Sequence, residues 1–119
     1  MSTFTITNPR TGATLAREAK LANNFWTRFK GLMGTEVLPQ GQGLLIVPCN
    51  SVHCFGMKYA IDVLFLSKEG EVLHVVPVMR PGSVSPVIKK ARATLELPAG
   101  IIQATGTKVG DKLELPPIP

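Results

Sequence analysis

The sequence predicts a mainly β domain of the α+β class: a small, compact, antiparallel barrel-like or two-sheet fold with one or two short helices. Three observations carry that prediction. Ten prolines and eleven glycines in 119 residues demand frequent turns, and proline breaks helix interiors, so a helical bundle is excluded. Apolar and β-branched runs at 4–7, 43–47, 60–66, 71–79 and 94–97 are separated by turn residues, the pattern of short strands. Only one stretch, just after residue 24, has apolar residues at helical spacing.

Phe4–Thr7 reads as a strand that ends in the turn residues Asn8-Pro9-Arg10-Thr11-Gly12, which favour a hairpin. Ala13–Ala22 has helix-forming residues but also alternates Ala13, Leu15, Ala19 and Leu21 on one parity. The hairpin turn before it favours a second strand. Asn23 or Asn24 can cap the next element. Phe25, Phe29, Leu32 and Met33 then share one helix face, and Gly34 can close that helix in a left-handed conformation.

Gly43–Val47 reads as a buried strand stopped by Pro48, and residues 49–59 as irregular or extended. Ala60–Leu66 is apolar on both parities except at Asp62, as in a central strand covered on both faces. Ser67–Gly70 turns it into a partner strand at Glu71–Met79. Residues 83–92 form a proline-containing basic loop. Thr94–Leu97 is a strand, Ile101–Thr105 a helical turn closed by Gly106, and 109–115 a turn and last strand. The whole chain, 1–119, reads as one domain, with its core at about 3–115 and a tail at 116–119.

Composition narrows the function classes. Hydrophobic residues at 45% against charged residues at 18% describe a globular chain rather than a disordered one. The net charge of +5 raises the question of an acidic partner. The basic residues are spread from Arg10 to Lys112, however, with one tight cluster at Lys89, Lys90 and Arg92. No aromatic–basic stacking pattern accompanies them, so nucleic acid is disfavoured. Two cysteines make no disulfide framework, and a reducing compartment is their default. The first residues lack the charged and apolar regions of a signal peptide, and no apolar run reaches the ~20 residues of a membrane span. The expected location is the cytoplasm.

The segment Pro48–Tyr59 gathers the most chemistry. Cys49, His53, Cys54 and Met57 are soft ligands suited to copper(I) or zinc, though their spacing is poor for a structural zinc site. On an extended chain His53 and Met57 share a face while Cys54 points away. Core filling is the simpler role for these sulfurs. A Cys49–His53 nucleophile pair across a turn is conceivable, but no hydrolase motif surrounds it. Asp62 interrupts an oily strand, where an unpaired carboxylate is costly. Either a backbone or arginine partner satisfies it to hold a loop, or it floors a ligand pocket. Glu96, between Leu95 and Leu97, alternates to the opposite face, and solvent exposure is its simplest explanation. No phosphate-cradling glycine loop is present.

Taken together, Arg28–Met33, Gly43–Ile46, Val52–Leu66, Gly70, Leu95–Gly100 and Val109–Asp111 resemble the bacterial and archaeal family called domain of unknown function 192. The resemblance spans about residues 13–115. Its common core is represented here by Gly31–Met33, Met57–Asp62 and Leu95–Gly100. Many relatives carry Trp where this chain has Gly56, and many look exported. The resemblance implies a small mainly β fold with short helices and no established activity. Cys49 and Cys54 lie outside its general pattern. The reading that follows is a binding domain for a small molecule or a protein partner, with no catalytic residue and no cofactor. Its expected ligand-binding face is Arg28, His53, Met57, Lys58, Asp62 and Glu96. The alternative is a metal or thiol site at Cys49, His53, Cys54 and Met57.

Overall fold

The structure is a computed structural model that describes residues 2–119, the side chain of Phe25 excepted. Six strands form one sheet: β1 (Phe4–Asn8), β2 (Ala13–Ala22), β3 (Gln42–Ile46), β4 (Ile61–Leu66), β5 (Val72–Met79) and β6 (Ala93–Pro98), in spatial order β1-β2-β3-β6-β4-β5. Two short helices, α1 (Phe25–Lys30) and α2 (Ile101–Thr105), complete the regular elements. The mainly β architecture agrees with the sequence, and so does the choice of strand over helix for Ala13–Ala22.

The sheet curls into a barrel-like form. The C-terminal segment lies between its two edges and bridges both, Thr7 to Glu114 and Glu71 to Lys112. Leu113 N donates to Gly70 O at 3.0 Å and Glu114 N to Thr7 O at 2.8 Å. This closure protects edges that would otherwise be open to another chain. Only isolated bridges mark 109–115, where a full strand was expected. Residues 116–119 are fastened rather than a loose tail: Ile118 is buried in the core and Arg92 Nε donates to Pro119 O at 2.8 Å.

One pairing departs from the antiparallel expectation. β2 and β3 run parallel, with Ala19 opposite Gly43 and Leu21 opposite Leu45. The cause is the crossover through α1 and residues 31–41, which returns the chain to the level of Glu18, midway along β2, before β3 begins. Gly43 is required at this crossing, since a Cβ there would stand 2.9 Å from Leu97 Cδ2.

The strands carry two cores, one per face. Leu15, Leu45, Leu64, Leu66, Leu95, Leu97, Ile102 and Leu113 fill the inside of the barrel. Ile61, Val63 and Phe65 face outward and are covered by Leu32, Leu38, Cys54 and Met57 from the irregular segments and by Met79 at the end of β5. β4 and β6, flanked on both sides in the sheet, are therefore buried along their whole length. The alternation of β6 puts Leu95 and Leu97 inside, and Thr94 and Glu96 on the outer face.

α1 is capped by Asn24, whose side chain accepts from Thr27 N at 2.9 Å, as a capping asparagine does. It ends earlier than expected: Gly31, not Gly34, is the C-cap. Its φ of 49° lies in the left-handed region, where glycine is unstrained. The face that the spacing defines is not buried throughout: Leu32 packs into the outer core, but Phe29 is 63% exposed. Phe25, assigned to the same face, has its side chain outside the described residues.

Candidate functional site

Glu96 sits at the centre of the outer face, opposite Leu44 of β3 and Val63 of β4. The expectation of solvent exposure fails here: Glu96 is 5% exposed. The physical reason is sheet order. β6 is a central strand, and α1 with residues 49–57 covers its outer face, so parity alone does not lead to water. The carboxyl oxygen Oε1 is buried without a hydrogen-bond partner. Burial raises the Glu96 pKa from 4.5 to about 7, because desolvation penalises the charged form.

This carboxyl faces a cavity of about 160 Å³ beneath α1. Arg28, Lys30, Gly31, Cys49, His53 and Met57 are among its lining residues. Gly31 lies directly over the acid; a Cβ there would be 3.8 Å from Oε1. Neither ion pair found among the described residues involves Glu96, so Arg28 and Lys30 line the space without neutralising it. Arg28 is held by its Nε, which donates to Pro48 O at 3.0 Å. His53 stacks against Phe55 with ring centroids 4.9 Å apart, and its Nδ1 accepts from Phe55 N at 3.3 Å. The backbone of 49–57 is tied to its surroundings: Cys49 N donates to Arg92 O at 3.0 Å, and Cys54 N to Ser83 O at 2.8 Å.

Toward solvent the cavity continues into a wider cleft of about 630 Å³. The two share Arg28, Phe29, Ile46, Cys49 and Ser51, and the outer cleft adds Asn50 and Arg92. Sequence reasoning passed over Gly31, Lys30, Asn50 and Arg92. The signal available for Gly31 was a glycine inside an otherwise helical stretch, which lowers helix propensity there and favours an end. The sequence marks Arg92 only as a member of the basic cluster with Lys89 and Lys90, and the fold brings it to the site.

Four of the six residues expected on a ligand face therefore meet in this cavity: Arg28, His53, Met57 and Glu96. Asp62 does not join them. It is completely buried on the other side of the sheet, where Oδ2 accepts from Gly100 N at 3.1 Å and Ile102 N at 2.8 Å, and Oδ1 from Val78 N at 2.8 Å. It caps the start of α2 and holds a bulge in β5, the loop-holding role set against the pocket in the sequence. Lys58 is also elsewhere, paired at the surface with Glu36.

The residues of the metal alternative are split. Cys49, His53 and Met57 line the cavity, whereas Cys54 is buried in the outer core. Burial first, and then the charge of Glu96, pushes the Cys54 thiol up, away from the thiolate form that binds metal. Among the described residues no three of His, Cys, Asp and Glu gather as a ligand set. Cys49 Sγ donates to Ser51 O at 3.2 Å and so is oriented by a carbonyl rather than by the imidazole. No helix among the described residues is long and apolar enough to cross a membrane.

Comparisons with known proteins agree with this architecture. The sequence profile of domain of unknown function 192, described as "Uncharacterized ACR", matches residues 6–115. A UPF0127 protein of Pyrococcus furiosus is 35% identical over 112 residues, covering 90% of this chain and 94% of its own. A second, from Thermococcus sibiricus, is 30% identical over 112 residues and covers 90% of this chain and 71% of its own. A crystal structure of a protein of unknown function from Novosphingobium aromaticivorans superposes with a TM-score of 0.80 at 23% identity, over 92% of this chain and 81% of that one. Another, from Sinorhizobium meliloti, gives 0.78 at 23% identity, over 97% and 96%. At that identity the two structures speak for the fold alone. The chain belongs to the domain of unknown function 192 family.

Proposed function

We propose that this protein is a non-catalytic binding domain whose ligand enters the cavity under α1 and donates a proton or a positive charge to Glu96. One observation carries the reading: a buried carboxyl oxygen without a partner, facing a cavity. An unsatisfied buried polar group is rare in folded proteins and costs roughly 1–3 kcal/mol. A ligand ammonium, guanidinium or hydroxyl at Oε1 removes that penalty on binding. Met57 and the aliphatic part of Ile46 supply apolar contact, and His53 stands at the rim. A small, mostly apolar cavity with a few convergent polar groups is the usual build of a ligand site. Cys49 Sγ donates to Ser51 O rather than to His53, which favours binding over a Cys–His nucleophile.

The test is the side-chain carboxyl of Glu96, followed by carbon-13 NMR. In the free protein its midpoint is expected at about 7, raised by burial. Saturating n-butylamine lowers that midpoint, because a neighbouring cation favours the carboxylate. A midpoint that butylamine leaves in place, or one already at the ordinary glutamate value in the free protein, removes the basis of the proposal.

A further inference from the structure

The cleft is polarised. Its inner end holds the one acid of the lining, Glu96, deep under Gly31, with Lys30 and His53 at the same cavity and Arg28 shared between the inner and outer ends. Its outer end holds guanidiniums from two separate elements, Arg28 on α1 and Arg92 at the start of β6. Each is fixed through Nε to a main-chain oxygen, Arg28 to Pro48 O at 3.0 Å and Arg92 to Pro119 O at 2.8 Å. That leaves the terminal nitrogens of each fork to meet an anion. Asn50 and Ser51 line the same outer space and add neutral hydrogen-bonding groups, and no carboxylate lines it.

A purely cationic ligand would satisfy Glu96 but leave its other end against two arginines. A purely anionic one would meet the arginines and be repelled from the inner end once Glu96 ionises. Resting on the binding role just described, we propose that the ligand is a small zwitterion. Its ammonium lies on Glu96, and its anionic group lies in the outer cleft between Arg28 and Arg92. Cation and anion sit at opposite ends of one short, partly apolar chain, as in an amino acid with separated charges. The raised Glu96 pKa adds a consequence. At and below neutral pH the incoming ammonium must displace a proton, so binding releases protons there and ceases to do so once the acid is ionised.

The test compares n-butylamine, butyrate and 4-aminobutyrate on the wild-type full chain by calorimetry and amide NMR, at a pH of about 8 where Glu96 is mostly ionised. Glycine and 6-aminohexanoate vary the charge separation. At least one of the zwitterions is expected to bind at least about tenfold more tightly than butylamine, the worth of one well-placed charge contact. Butyrate is expected to bind most weakly. The perturbed amides are those of residues 31, 49–53 and 95–97. An Arg28→Gln/Arg92→Gln variant is expected to bind the zwitterion no better than butylamine. If butylamine binds as tightly as every zwitterion, the two-ended site is wrong while the Glu96 pocket stands. If none of the five probes perturbs those amides, both fall. The wild-type comparison needs no variant, so a misfolded double mutant does not protect the idea.

Discussion

Asp62 and Glu96 are both buried carboxylates on central strands of one sheet, and they have opposite surroundings. Asp62 points toward α2 and accepts three backbone N–H groups. Glu96 points to the outer face, leaves Oε1 without a partner, and has a cavity in front of it. A buried acid surrounded by backbone donors is a joint: it fixes the chain segments that donate. A buried acid with none carries an unmet desolvation penalty. The difference separates a satisfied acid from an unsatisfied one without any appeal to residue type, since burial is nearly the same for both.

Removing the joint has the largest expected effect. Asp62→Ala strands the amides of Val78, Gly100 and Ile102, each worth about 1–3 kcal/mol when buried and unpaired. Partial hydration lowers the sum, and a loss of about 3–5 kcal/mol in urea unfolding is expected. Asp62→Asn keeps one acceptor oxygen and falls between. A cost below about 1 kcal/mol for the alanine variant would erase the contrast between the two acids.

Glu96 behaves in the reverse sense. Its folded pKa, about 7 against 4.5, is raised, so the native state holds the proton more tightly than the unfolded chain. The contribution of Glu96 to stability is therefore fully present below about 4.5, falls as pH rises to about 7, and is level above it. The groups facing the acid are Arg28 and Lys30 from α1 and Cys49 and His53 from the loop after β3, while the charge of Glu96 in turn raises the Cys54 thiol; Leu44 and Val63 beside it are apolar. The fall is roughly 3 kcal/mol at most. Glu96→Gln removes this pH dependence and leaves the protein as stable as wild type at acid pH, and more stable at about pH 8. A wild-type curve that does not descend over that window contradicts the buried unpaired state.

How much of this was legible in the sequence follows the same division. The strands and the oddity of Asp62 were readable, because alternation and a charge in an apolar run are local signals. So was the collection of His53, Met57 and Arg28 near one site. Glu96 was misread as solvent-facing: parity tells which face a residue takes but not what covers that face. Only the order β3-β6-β4 and the loop laid over it decide that, and strand order is a long-range property. Asp62 was half-read for a related reason. The need for a partner was plain, but the donors lie as far away as Ile102. The parallel β2–β3 pair was missed because a short helix and a loop do not declare the end of the sheet to which they return.

A third acid sharpens the comparison from the other side. Asp111 bonds Arg10 at 2.6 Å and 2.9 Å, Asn8 at 2.9 Å and Lys108 N at 2.9 Å. The Arg10 hydrogen bond, followed by those of Asn8 and Lys108, holds its carboxyl well below the usual range. A depressed pKa contributes stability that is present above the unfolded value and lost as pH falls through the folded one. Its limb thus rises with pH in strong acid, where that of Glu96 is flat. Asp111→Asn is expected to flatten the acid limb and to cost about 2 kcal/mol at neutral pH, leaving the Asn8 amide short of a charged acceptor. Thermal melts across the acid range check both, and an unchanged acid limb would show that this cluster is not what resists protonation.

The smallest effect tests whether Asp62 also stores strain. Val78 has a φ of 52°, unusual for a β-branched residue, at the point where β5 slips register between Ile61 and Val63. Pro77 precedes it, and proline is tolerated at such bulges. The conformation persists because Asp62 Oδ1 takes the Val78 amide at 2.8 Å, so strain of order 1 kcal/mol is held in place by the joint. Val78 is half exposed, and its side chain can be changed with little loss of packing. Val78→Asn, a residue that tolerates the left-handed region, is expected to raise stability by up to about 1 kcal/mol. The same substitution should gain less in an Asp62→Asn background, because a looser joint lets the bulge relax. Equal gains in both backgrounds would mean that the bulge is set by Pro77 alone and that Asp62 anchors only α2.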